Sequence, residues 1–298
     1  MIDLVLRAGE FTSFTSYYLE DFWKKFFNLS YYDSNKTYDK KRTLFVVWWQ
    51  NLSDPWITKM KNDGYKIIVD NLWEKQTFRS DFYWMEHKYS MRWNESLWWE
   101  SLGYSNYKPK KNLQYIALMQ MRQQKQERDY ILNYFESLLN TMLWSYQAKE
   151  KFLPNDTNDE NSGQRYMHPT WYDSTFCSIV IETFVQYEFH VSEKSYKPIA
   201  YYHPFLSISV PGTVQFLKDA GFETFDNIFD ESYDNKQSFQ ERLKIIKENL
   251  SNIRIDTSYD KLTLDKLEYN HNYFFNKEKT YQSIEDEIIK PILEYAET

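Results

Sequence analysis

Glycine and proline are scarce: the 298-residue chain holds 6 glycines and 8 prolines, where average usage gives about 21 and 15. Six scattered glycines cannot assemble a G-x-G-x-x-G turn or a Walker loop, and collagen-like, Gly/Ser-linker and low-complexity readings are excluded as well. The single cysteine, Cys177, rules out an internal disulfide and a thiolate metal cluster and fits a reducing cytosol; a small buried hydrophobe is its expected role. The five histidines (His87, His168, His190, His203 and His271) lack H-x-x-x-H spacing, so no metal is expected. Nowhere do 18 apolar residues run together, and Met1 to Arg7 has no basic segment leading into a long apolar one. A soluble, cytoplasmic protein without membrane insertion is the expectation.

What is plentiful is aromatic: Phe, Tyr and Trp make up 19% of the chain, within a hydrophobic fraction of 42%. A sizeable core follows, at a length that suits one large domain or two smaller ones. The mean hydropathy of -0.74 implies a very polar surface. A net charge of -7 disfavours a dedicated nucleic-acid coat while leaving room for a local basic groove.

Strand-length apolar runs alternate with helix-length amphipathic stretches, the pattern of an α/β protein with parallel sheets. The expected strands are 4–6, 44–49, 65–69, 115–119, 178–181 and 205–210. Ser53-Asp54-Pro55-Trp56 opens a helix that Gly64 ends. A long helix is expected over 123–143, others from about 193, over 212–220 and 236–252, and an amphipathic one over 283–296. The polar stretch after Pro154 reads as a linker, which divides the chain into a 1–153 amino-terminal lobe and a 154–298 carboxyl-terminal lobe, with the last helix crossing back. Successive crossover units in the second half suggest a Rossmann-like sheet, with Phe222 to Phe225 following the 212–220 helix.

The richest segment is Ile179-Val-Ile-Glu182-Thr183, a ten-residue gap, then Ser192-Glu193-Lys194-Ser195-Tyr196-Lys197-Pro198-Ile199-Ala200 and Tyr202-His203-Pro204-Phe205. Here a carboxylate ends a strand and Ser-Glu-Lys opens the next helix, at the edge where open α/β sheets bind ligands. Helix amides and the Lys194 charge suit a diphosphate, and the Glu193 carboxylate can accept from ribose hydroxyls. An ordinary capped, charged first turn explains the same residues equally well.

These runs, with Pro211-Gly212-Thr213 after them, resemble the nucleotide-sugar half of GT-B glycosyltransferases of the α-1,3-fucosyltransferase type, and most closely the fucosyltransferase-like proteins of phages and giant viruses. The resemblance is specific over 179–225, about a sixth of the chain. It implies two Rossmann-like lobes with a cleft between them, and a metal-independent sugar transfer from a GDP- or UDP-linked donor to a glycan or other hydroxyl acceptor, in host cytoplasm if the source is viral. Glu193 would then bind the ribose and Lys194 the diphosphate, with Glu182 orienting the loop or donor sugar. Ser192, Lys197 and Gly212 belong to the same motif, and either Arg122 or Arg165 supplies the arginine such enzymes place on the diphosphate. Thr183 stands where the family has Asn, and Lys197 replaces the second acidic residue of the retaining Glu-x7-Glu signature, which favours inversion.

Inversion needs a base at the acceptor hydroxyl. Glu10, after the first strand, is the first candidate, followed by Asp70 and Glu86. Two other readings stay open: a non-catalytic carbohydrate-binding or virion-associated protein of the same fold, and a DNA-modifying glycosyltransferase using Lys108, Lys110, Lys111, Arg122, Lys125 and Arg128 as a phosphate track. For the last run, a solvated charged face is the ordinary explanation.

Overall fold

The computed structural model describes residues 1–6, 20–48, 55–71, 83–86, 90–156, 167–187, 189–255 and 258–298. The strands are β1 (Ile2–Leu6), β2 (Phe27–Tyr31), β3 (Thr43–Trp48), β4 (Lys66–Asn71), β5 (Tyr83–Glu86), β6 (Tyr115–Met121), β7 (Met142–Tyr146), β8 (Thr175–Ile181) and β9 (Phe205–Ile208). The α-helices are α1 (Glu20–Trp23), α2 (Pro55–Asn62), α3 (Ser90–Ser101), α4 (Gln126–Tyr134), α5 (Pro169–Asp173), α6 (Glu193–Ala200), α7 (Thr213–Asp219), α8 (Phe239–Ser251), α9 (Lys261–Phe274), α10 (Lys277–Ile284) and α11 (Lys290–Glu297). They form two compact α/β units, residues 1–97 with 277–298 and residues 98–276, each with a parallel sheet of its own.

In the first unit the sheet order is β2-β1-β3-β4-β5. Alternate residues of each central strand serve opposite faces. Leu4, Leu6, Leu44, Val46 and Ile68 pack on one side with Trp93, Leu97, Ile284, Ile288, Ile289 and Ile292, while Val5, Phe45, Val47, Ile67 and Val69 pack on the other with Ile57 and Met60 of α2. The carboxyl-terminal helices are thus part of the first unit's core. Pro291 has no N–H to offer the turn before it, and residues Glu285–Ile289 there widen into a π-helical turn. Lys66 Nζ caps the far end by donating to Tyr295 O at 3.0 Å and Ala296 O at 2.9 Å. Truncating the fully buried Ile288 to Ala is expected to lower unfolding free energy by about 2–5 kcal/mol, measurable by urea titration.

In the second unit the order is β7-β6-β8-β9. The order reverses between β6 and β8, whose register, Met119 opposite Ile179, brings Met121 and Ile181 to the same edge. Such a reversal opens a crevice at the carboxyl ends. Gly221 (φ +89°) is obligatory below this sheet, because a Cβ there meets Tyr273 Oη at 2.6 Å.

Several expectations need correction. The helix expected over 123–143 ends at Tyr134, and a 3-10 turn over Glu136–Thr141 leads into strand β7. Because β6 and β7 hydrogen-bond into the sheet of β8 and β9, the units separate at Leu97/Trp98, well before the polar stretch near 154. Residues 222–225 form no strand.

Candidate functional site

The crevice edge of the second sheet is built from three segments. After β6 comes Arg122 to Lys125, leading into α4; after β8 come Glu182 and Thr183; and Ser192 opens α6. Glu182 is 1% exposed. Its carboxylate accepts from Ser192 N at 3.0 Å, Ser192 Oγ at 2.5 Å and Ser195 Oγ at 2.7 Å. Burial raises its pKa against the opposing pull of Lys194 and both serines. With every donor in place, Glu182 acts as a bracket that fixes the start of α6.

The first-turn amides of α6 are engaged internally. Ser192 N is held by Glu182, Lys194 N donates to Ser192 Oγ at 3.4 Å, Ser195 N to Ser192 O at 3.2 Å, and Glu193 N turns to its own carboxylate. The expectation of exposed helix amides waiting for a diphosphate is therefore corrected, and positive charge in this crevice comes from side chains. The start of α7 is closed in the same way: Asp234 accepts from Val214 N and Gln215 N, and Gly212 N donates to Asp234 O. Gly212, at φ +87°, shapes that turn with its amide already used.

Four cations gather around α6. Lys194 Nζ donates to Glu193 Oε1 at 2.9 Å, Ser192 Oγ at 3.0 Å and Thr183 Oγ1 at 3.4 Å, which uses all three of its N–H bonds. Lys197 is buried in the same helix. Burial pushes the Glu193 carboxyl upward, but Lys194 and Lys197 outweigh it and hold the group ionised, below its usual pKa. The other two cations come from α4 and its cap. Lys125 Nζ has one hydrogen-bond acceptor, Thr183 O at 2.8 Å, and sits 5.0 Å from the Phe184 ring centroid. Arg128 is only 5% exposed; its Nη1 donates to Gln123 O at 2.9 Å and its Nε has no partner. Burial lowers the pKa of both, and Arg128 and Lys194 lower that of Lys125 further. Neither Lys125 nor Arg128 hydrogen-bonds a carboxylate, although Glu127 of the same turn attracts both.

Lys125 and Arg128 were legible only as members of a charged run, Gln123-Gln-Lys-Gln-Glu-Arg128-Asp. The missed signal is position: both follow directly from a strand that ends at the switch point, three residues apart on one helix face. Arg122 stands in the same segment, and its carbonyl accepts from Ala148 N. Arg165 and Glu10 lie outside the described residues. Asp70 and Glu86 fall at the carboxyl edge of the first sheet, in β4 and at the end of β5, where Asn71 pairs with Glu86. In the basic run after Tyr107, Lys111 Nζ donates to Tyr172 O at 2.8 Å and Lys108 Nζ to Tyr202 Oη at 3.4 Å. His203 and Cys177 are buried core residues, with His203 Nε2 donating to Thr175 O at 2.8 Å. Among the described residues there is no group of three or more His, Cys, Asp or Glu able to hold a metal, and no helix is long and apolar enough to cross a membrane.

The histidines set an acid limit. Burial, then Lys194, pushes His190 down to about 4, and burial lowers His203 and His271 too. Below about pH 6.5 the unfolded chain binds protons that the folded one refuses, so this stability is complete above pH 6.5 and is lost as the pH falls. His190 alone contributes a loss of about 1.4 kcal/mol per pH unit between roughly 6.5 and 4. Urea titrations from pH 7.5 to 4.5 should show this slope, and His190→Gln should flatten it.

No family model and no curated protein matches the sequence. Among solved structures, the crystal structure of an α1,3-fucosyltransferase is similar, with a TM-score of 0.49 and 10% identity over 93% of this chain and 91% of that one. At that score the likeness carries no argument about activity.

Proposed function

We propose that the protein is a glycosyltransferase that binds the diphosphate of a nucleotide sugar in the second unit, on Lys125 and Arg128, with the Lys194 charge beside them. One observation carries the reading: two cations without carboxylate partners, one of them a buried arginine with an unused N–H, converge at a sheet switch point beside a rigidly bracketed helix start. A buried guanidinium in that state is costly unless an anion joins it.

In the transfer, a base takes the proton of the acceptor hydroxyl as that oxygen bonds to the anomeric carbon. The bond from that carbon to the phosphate oxygen breaks, and the nucleoside diphosphate leaves with the electron pair. Fixed cations stabilise the charge that grows on the leaving oxygen. Glu193 is suited to the ribose hydroxyls and Glu182 to holding the helix that presents it. For the base, Glu10 stands ahead of Asp70 and Glu86, because in sequence it directly follows the first strand. The donor is GDP- or UDP-linked, the acceptor a glycan hydroxyl, and the outcome inversion.

A thermal-shift screen of nucleoside diphosphates and nucleotide sugars tests binding, since a ligand at 100 times its Kd adds about 2.7 kcal/mol to stability. Donor-dependent sugar transfer, lost in Glu10→Gln, tests the reaction. Failure of every nucleotide to shift the transition would end this reading.

A further inference from the structure

The segment between β8 and α6 is a closed loop with, among its described residues, one aromatic side chain left outside. Its ends are joined by the Glu182 carboxylate on Ser192 N and Oγ, the closure typical of compact Ω-loops. Its interior is pinned twice more by cations on backbone carbonyls. Lys125 holds Thr183 O from α4, and Arg242 of α8 holds Val185 O at 2.7 Å through Nη2.

Arg242 is 3% exposed, and its Nη1 donates to Lys236 O at 2.8 Å and Gln237 O at 2.9 Å. All its bonds thus go to carbonyl oxygens of two separate segments, with none to a carboxylate. Retaining a buried guanidinium whose hydrogen bonds all go to backbone carbonyls makes sense where the placement of the loop matters.

The loop's other apolar side chains are packed. Val185 and Val191 are buried, Phe184 meets His190 edge-on, and Phe189 meets Phe216 at 5.3 Å. Tyr187, midway between the joined ends, is 85% exposed. Solvent does not hold a large aromatic ring there for stability, since nothing is buried by it. Four residues from Thr183, whose carbonyl Lys125 grips, place the Tyr187 backbone within about 14 Å of the cation cluster, a span that the ribose and base of a nucleoside diphosphate cover together with the tyrosine side chain.

We infer that Tyr187 is the stacking contact for the planar base of a nucleotide whose diphosphate rests on Lys125 and Arg128, and that Arg242 is the positioning residue that holds the loop to present it. This rests on the diphosphate reading above. A flat aromatic face accepts any base with little sequence preference, so the loop contributes affinity for nucleosides as a class and leaves the choice among bases to other contacts.

The test compares GDP and UDP with inorganic pyrophosphate by calorimetry on the full chain. Tyr187→Ala, at an exposed position, is expected to weaken both nucleotides about tenfold or more and leave pyrophosphate unchanged, with Tyr187→Trp restoring affinity. Arg242→Lys should reduce the ratio of nucleotide to pyrophosphate affinity in the wild-type background and have no further effect on it in Tyr187→Ala. A purely structural arginine would lower the melting temperature and leave the ratio alone. Nucleotide binding unaffected by Tyr187→Ala, or lost in parallel with pyrophosphate, overturns the inference while the diphosphate site stands. Absence of binding by wild-type protein to nucleotides and pyrophosphate alike overturns both.

Discussion

Glu182→Ala is expected to lower unfolding free energy by about 3–5 kcal/mol and to abolish nucleotide binding. The carboxylate accepts three hydrogen bonds in a site with 1% exposure, and each donor left unpaired in such surroundings costs about 1–3 kcal/mol. The serine hydroxyls can rotate toward other acceptors, which limits the loss; the Ser192 amide cannot. Glu182→Gln keeps the volume and one acceptor oxygen but turns an NH2 group toward a hydroxyl, so an intermediate loss of about 1–2 kcal/mol follows. Because the same carboxylate joins the two ends of the loop that carries Thr183 and Tyr187, binding should fail before folding does. Urea unfolding gives the stability terms. An alanine variant that loses under about 1 kcal/mol would show that the bracket does not hold α6.

How far the fold was legible depends on where the sheet contacts come from. The run Thr43–Trp48 announces a buried parallel strand because both of its faces are apolar, and its alternate residues do feed two separate clusters. Strand β2 reads Phe-Asn-Leu-Ser-Tyr, half polar, because it is an edge strand with one neighbour. Strand β7 was hidden by Tyr130, Ile131, Tyr134, Leu138 and Leu139, whose helical spacing runs past the real helix end at Tyr134 into a 3-10 turn. Placing β7 beside β6 is a non-local pairing that local periodicity does not encode, and the position of the unit boundary depends on it.

The site divides in the same way. Glu182, Ser192, Glu193 and Lys194 were visible because strand end and helix start flank one loop, close in sequence. Glu182 nevertheless turned out to be a bracket for the helix, since the hydroxyls of Ser192 and Ser195 both point to it. Lys125 and Arg128 come from a different crossover, and only the adjacency of β6 and β8 brings them to Thr183. Nor does composition announce Arg242, which reaches the loop from α8, 57 residues beyond the carbonyl it holds.

Arg128→Met should separate function from stability. The guanidinium is 5% exposed, has one hydrogen bond to Gln123 O and an unpaired Nε, and its pKa is lowered by burial. Replacing a buried charge in that condition by an apolar side chain of similar length is commonly neutral or stabilising by about 1–4 kcal/mol. A rise of about 1 kcal/mol or more in unfolding free energy is therefore expected. Nucleoside diphosphate affinity should move the other way, since a charge-assisted hydrogen bond to phosphate is worth roughly 1.5–3 kcal/mol, or about 10- to 150-fold in Kd. Lys125→Met should weaken binding similarly, but with a fall in stability, because it also releases Thr183 O. Denaturant midpoints and calorimetric affinities of the two variants, measured at one ionic strength because surface charge is screened by salt, decide the matter. Stability lost and affinity kept in Arg128→Met would make Arg128 a clamp on Gln123 and leave the anion to Lys125, with the Lys194 charge beside it.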